Sequence, residues 1–145
     1  MPLHLIKLCV GAESIRDMEE WIAEKLAAKR ASGAALEQTH QTRMTPKRAA
    51  ELLDGGSLYW VIKGQISARQ AIVDIRPFTD AQGISRCHIV LTPAMIPVAP
   101  RPRRPFQGWR YLPEADAPPD LSEIRGKTGQ MPEGLRRELS ELGLL

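Results

Sequence analysis

The stretch Gly55-Gly56-Ser57-Leu58-Tyr59-Trp60-Val61-Ile62-Lys63-Gly64 constrains this chain more than any other. Two glycines halt whatever precedes them. Five consecutive leucine, aromatic and β-branched side chains then demand an extended backbone, and Lys63-Gly64-Gln65 is turn-like. Ile66 to Ile75 resumes strand character, with Ala71, Val73 and Ile75 alternating against Gln70, Ile72 and Asp74, which predicts a hairpin or one long bulged strand. Within the first of these strands Tyr59 and Trp60 point to opposite faces, so one is expected in the core and the other exposed or at a cleft.

The flanking segments supply the remaining elements. Leu3 to Val10 is almost continuously apolar and ends at Gly11, as in a strand covered on both faces. Ser14 offers an N-cap, and Ile15, Met18, Trp21, Ile22 and Leu26 recur at helical spacing, which predicts a helix from about residue 14 to about residue 30 with Trp21 in its buried stripe. Leu36 to Met44 reads as a second strand. Thr45-Pro46 opens a short helix with Lys47 and Arg48 in its first turn and Ala49, Leu52 and Leu53 on its apolar face. Arg86 to Thr92 is a further strand. Pro93, Pro97, Pro100, Pro102 and Pro105 bar the next segment from being helix or central strand, and Phe106 to Leu112 is strand-like again.

From Pro113 an acidic, Pro-rich linker leads to a helix over Pro132 to Leu142 with a Leu135, Leu139, Leu142 stripe. The expected fold class is therefore α+β: a small mixed or antiparallel, barrel-like sheet with two helices in the N-terminal half and one at the C-terminus. Residues 1–112 form the domain. Residues 113–145, linker and helix, pack on it or are appended, with the linker burying little.

A length of 145 residues suits a single hydrophobic core, and 43% hydrophobic with 26% charged residues is the balance of a globular chain. No apolar run approaches the ~18 residues of a membrane span, so a cytoplasmic protein with no membrane partner is expected. Cys9 and Cys87 lie in apolar, strand-like stretches and are expected reduced and buried. The net charge of +3 is unevenly spread: residues 41–110 hold eleven basic against four acidic residues. That concentration favours a polyanionic partner over one part of the surface.

Two constellations carry the functional expectation. Arg101-Pro102-Arg103-Arg104-Pro105-Phe106-Gln107-Gly108-Trp109-Arg110-Tyr111 joins four guanidinium groups to three rings. Arginine pairs with phosphate, aromatic faces stack on unpaired bases, and the prolines hold the loop extended. The competing reading is a rim loop whose rings cover the barrel mouth and whose arginines are solvated or pair with the acidic linker. Arg43, Lys47 and Arg48 flank the start of the short helix, where free N–H groups favour an anion; the alternative is a surface helix with a Lys47–Glu51 pair. Cys87-His88 cannot act as a nucleophile–base pair, since neighbours on a strand face opposite ways. His4 and His40 have no carboxylate at ligand spacing, and no phosphate loop, dinucleotide fingerprint or zinc pattern is present, so neither metal nor cofactor is expected.

The order of a capped helix, a short helix, a double glycine and an aromatic strand, carried here by Ala49 to Trp60, resembles the PUA-like superfamily, RNA-associated barrels that include the ASCH and EVE domains. Through Leu5-Ile6-Lys7-Leu8-Cys9-Val10-Gly11, Gly55 to Gly64 and Arg101 to Tyr111, the whole chain also resembles a family of short alphaproteobacterial proteins, a domain of unknown function. The leading expectation is a non-catalytic RNA-binding module in which Arg43, Lys47, Arg48, Arg101, Arg103, Arg104 and Arg110 meet phosphates while Trp109 or Tyr59 stacks a base, with Phe106 in the same loop. Two alternatives stand beside it. One is an assembly factor docking on a protein partner through the Pro-rich loop and the C-terminal helix. The other is an enzyme on a modified nucleobase, which requires a carboxylate such as Asp54 or Asp74 near Tyr59 or Trp60.

Overall fold

A computed structural model describes residues 2–123 of the chain. The elements follow in the order β1 (Leu3–Leu8), α1 (Ile15–Ser32), β2 (Gln38–Thr42), α2 (Ala49–Leu52), β3 (Ser57–Ile62), β4 (Gln65–Thr79), β5 (Ser85–Leu91), β6 (Ile96–Pro102) and β7 (Trp109–Pro113), then a 3-10 turn at Glu114–Asp116. The protein is α+β. Its seven strands form one mixed sheet in the order β2-β5-β4-β3-β1-β7, with β6 also paired to β4. The sheet stays open, with β2 and β7 as its end strands. β1 and β3 run parallel, as a crossover through both helices requires, and the other pairings are antiparallel.

The β3–β4 connection is a hairpin, one of the two expected forms, and its turn is two residues long, with Gln65 already paired to Ile62. Lys63 and Gly64 both take positive φ, 50° and 78°, the conformation whose twist matches a right-handed hairpin. β4 is also the long bulged strand. It pairs with β3 and β6 over its first half and with β5 over its second, with register shifts in all three ladders. β6, with prolines at 97, 100 and 102, pairs only with β4, as strands unable to donate a full ladder do.

Two apolar clusters occupy the two faces. The first gathers Leu3 and Leu5 of β1, Leu58, Trp60 and Ile62 of β3, Cys87, Ile89 and Leu91 of β5 and Trp109 of β7 under Met18 of α1 and Leu52 of α2. The second joins Ile6, Tyr59, Val61, Ile66, Val98 and Leu112, with Phe106 and Ala117 against it. Gly56, where α2 hands over to β3, lies so close to the carbonyls of Leu3 and Leu52 that a Cβ would clash with both.

Several expectations need correction. Trp21 is 47% exposed, with the Lys25 ammonium 3.7 Å above its ring; Met18 and Ile22 alone fill the buried stripe of α1. Tyr59 and Trp60 are both only 4% exposed, because a second apolar layer packs around the Tyr59 ring, which still lines a pocket. Cys87 is a buried free thiol, but Cys9 sits just past β1 and is half-buried. α2 begins four residues later than Thr45, with Arg48 at its N-cap position.

The acidic segment after β7 is more firmly held than its composition suggested. Asp120 grips Arg69 through both oxygens at 2.8 Å, the Ala99 N–H donates to the Pro119 carbonyl, and Leu121 is buried. The helix expected over Pro132 to Leu142 lies outside the described residues.

Candidate nucleic-acid interface

Strand register decides which charges share a surface. Lys7 lies opposite Trp109, Ile6 opposite Arg110, Ile62 opposite Gln65 and Gln65 opposite Pro102. The end of β1, the β3–β4 turn, the end of β6 and the start of β7 therefore form one end of the sheet. Lys7, Lys63, Arg101, Arg103 and Arg110 collect there from segments far apart in sequence, with Arg104 beside Arg103. The Arg103 N–H donates to the Gly64 carbonyl, which fastens the basic loop to the hairpin turn.

Between this end and the end of β2 lies a cleft of about 400 Å³, lined by Lys7, Gln41, Thr42, Arg43, Met44 and residues 107–110. It marks the gap where β2 and β7 fail to pair. The Trp109 indole N–H spans it to the Met44 carbonyl at 3.0 Å, and the Tyr111 hydroxyl accepts from the Arg48 N–H at 3.2 Å. Lys7 follows Leu3 and Leu5 on the inward face of β1, so burial holds its ammonium below the usual lysine range. Among the described residues, none of Lys7, Arg43, Arg101, Arg103, Arg104 and Arg110 enters a salt bridge. Lys63 does, with Glu13 at 3.6 Å.

The sites read from the sequence fall into three groups. Arg43 and Arg110 line the cleft. Arg103 and Arg110 both lie over the ring of Phe106, at 5.3 and 5.5 Å, so a half-buried phenyl positions two guanidinium groups. Arg104 is exposed beside them, and Arg101 donates to the Asp116 carbonyl at 2.6 Å. The second group is spent elsewhere: Arg48 is paired with Glu51 and lies over Tyr111. The anion cradle expected at the start of α2 is not formed, since the helix spans four residues and the Arg48 N–H is already satisfied. Lys47 stays exposed and makes no pair with Glu51.

The third group is buried. Tyr59 belongs to the second cluster, and Trp109, 6% exposed, shows the cleft only part of its surface; neither is an open stacking platform. The carboxylates considered near Tyr59 and Trp60 also lie elsewhere, Asp54 exposed after α2 and Asp74 bound by Arg76 at 2.8 Å.

Lys7 escaped the sequence reading because it is a lone charge inside an apolar strand. Its signal was the alternation with Leu3 and Leu5, which places it on the core face at the mouth of the sheet.

A family model described as protein of unknown function (DUF1489) matches residues 5–145. The chain belongs to this family. The DUF1489 match takes in β1 from Leu5, both helices and the whole basic end, and so agrees with the full-length resemblance read from the same motifs. No curated protein and no solved structure matches the DUF1489 chain. Among the described residues no helix is long and apolar enough to cross a membrane, and no cluster of three or more His, Cys, Asp or Glu side chains could hold a metal ion.

Proposed function

We propose that this chain is a non-catalytic RNA-binding module that takes the backbone of an unpaired strand along the basic end of its sheet. The observation that carries the reading is the convergence of Lys7, Arg43 and Arg110 on one cleft with no carboxylate among its lining residues. Arginines held by a phenyl ring or by backbone carbonyls are ordered before binding, which lowers the entropic cost of meeting phosphates. A half-buried lysine at the floor, taken partly out of water, gains more from an anion than an exposed one does. Bases stack here on the Arg103 and Arg110 guanidinium planes rather than on Tyr59 or Trp109. The PUA-like resemblance belongs to this proposal and rests on the Ala49 to Trp60 motif; the members of that superfamily are barrels, whereas this sheet is open.

The test is fluorescence anisotropy of a labelled single-stranded RNA titrated with the full chain at several salt concentrations. Replacing both Arg43 and Arg110 with Ala removes two phosphate contacts. That is expected to weaken binding and flatten the log–log salt slope by about 1.4, while the melting curve hardly moves because neither residue is in an ion pair. Absence of salt-dependent binding by the parent protein, or an unchanged slope in the double variant, refutes the reading.

A further inference from the structure

The opposite end of the sheet holds a second pocket, of about 320 Å³, formed where β1 starts, β3 starts and the segment after β7 folds back. The groups around it are mutually saturated to different degrees. His4 is buried, and its Nδ1 accepts from the Ser57 N–H at 2.9 Å. The ring must therefore carry its proton on Nε2, which bonds to Glu114. Arg69 spends Nε and one terminal nitrogen on Asp120 and the other on the Ser57 hydroxyl, all at 2.8 Å, so three of its five N–H groups are held within the fold and its charge is already met by Asp120.

The other polar groups of the lining are chiefly acceptors. Glu114 keeps one oxygen, Glu123 lines the rim, and the Tyr59 hydroxyl has no hydrogen-bond partner among the described residues although Tyr59 is only 4% exposed. With His4 neutral, one cation faces three carboxylates among the described residues. Burial, opposed by Arg69 and reinforced by Asp120, Glu114 and Glu123, pushes the Tyr59 phenol up to about 12, so it keeps its proton and can accept from a ligand while donating to a carboxylate.

We infer that this pocket binds an organic cation bearing N–H donors, a primary ammonium or a guanidinium group. The Tyr59 oxygen, Glu114 and Glu123 accept its hydrogen bonds, and the Arg69–Asp120 and His4–Glu114 pairs hold the walls in place. The inference uses none of the basic-end residues and stands whether or not the chain binds RNA.

The experiment is a titration of the full chain with ethylammonium and methylguanidinium, followed by NMR and calorimetry, with tetramethylammonium and sodium chloride at matched ionic strength as probes lacking N–H donors. The first two are expected to shift the Tyr59 ring resonances saturably, and the controls not to. Tyr59→Phe, which removes no hydrogen bond from the free protein and so should fold as the parent does, is expected to weaken binding about tenfold. Glu123→Gln should weaken it less, and RNA affinity should be unchanged in both. A second arm compares spermidine with an arginine-containing peptide, so that tighter binding of one separates a free polyamine from a protein side chain as the source. Equal shifts with tetramethylammonium, no saturable shift, or undiminished binding by Tyr59→Phe overturns the inference.

Discussion

His40 shows how one residue can contradict its local pattern without harm. It sits on β2, its ring edge-on to Trp60 with centroids 5.2 Å apart, and its Nε2 is enclosed with no hydrogen-bond partner among the described residues. Burial, with Lys7 and Lys25 adding to it, pushes its pKa down to about 4. A histidine lowered on folding binds its proton more readily in the unfolded chain. Its contribution to stability is therefore complete above about pH 6.5 and is lost as pH falls from there toward 4. Denaturant titrations of the parent should show a loss on the order of 3 kcal/mol across that window. His40→Phe keeps the edge-on contact and should remove most of it; the remaining acid sensitivity then begins lower, where Asp74, Glu37 and Asp80 lose the arginine partners that hold their carboxyls down. Identical pH profiles for parent and variant would contradict this account.

At the scale of elements, β4 organises the sheet through one buried amide. Gln70 is fully enclosed; its oxygen accepts from the Trp60 indole at 2.9 Å, and its nitrogen donates to Gln38 at 2.6 Å and to the Thr92 carbonyl at 2.9 Å. Four segments of the fold meet on that side chain. Alternation along β4 marked Gln70 as sharing a face with Ile72, but a single strand pattern does not say which face is covered. The network makes the polar residue the inward one and leaves Val73 54% exposed. Gln70→Leu should cost about 1–3 kcal/mol for each donor or acceptor left unpaired, with circular dichroism retaining the strand signal while the urea midpoint falls. A midpoint equal to the parent's would mean that water or rearrangement satisfies Trp60 and Gln38 as well as Gln70 does.

At the scale of the whole molecule the fold separates charge: one end collects cations from β1, the β3–β4 turn, β6 and β7, and the other collects Glu114, Asp120 and Glu123. The segment that supplies the acidic end is also structural, since it brings Asp120 to Arg69 and buries Leu121. A chain cut after Pro113 should therefore still fold but lose about 2–5 kcal/mol, from the buried leucine and an arginine left without its partner; an unfolding midpoint matching that of the full chain would show the segment to be a bystander. Much of this molecule was legible in advance. Caps, glycines and apolar runs located six of the seven strands and two helices to within a few residues, while β6 lay inside the segment whose prolines had barred helix and central strand; the turn after β3 needed no neighbour to explain it, because those signals are local backbone preferences. The chain also declared where its basic residues were concentrated. Which of them share a surface was decided only by register: Lys7 meets the arginine loop because β1 pairs with β7, Arg48 is removed from it by Glu51 and Tyr111, and Tyr59 and Trp109 are covered by layers that arrive from distant sequence. Burial and electrostatic convergence depend on what packs against a residue from elsewhere in the chain, and a linear pattern holds no record of that partner.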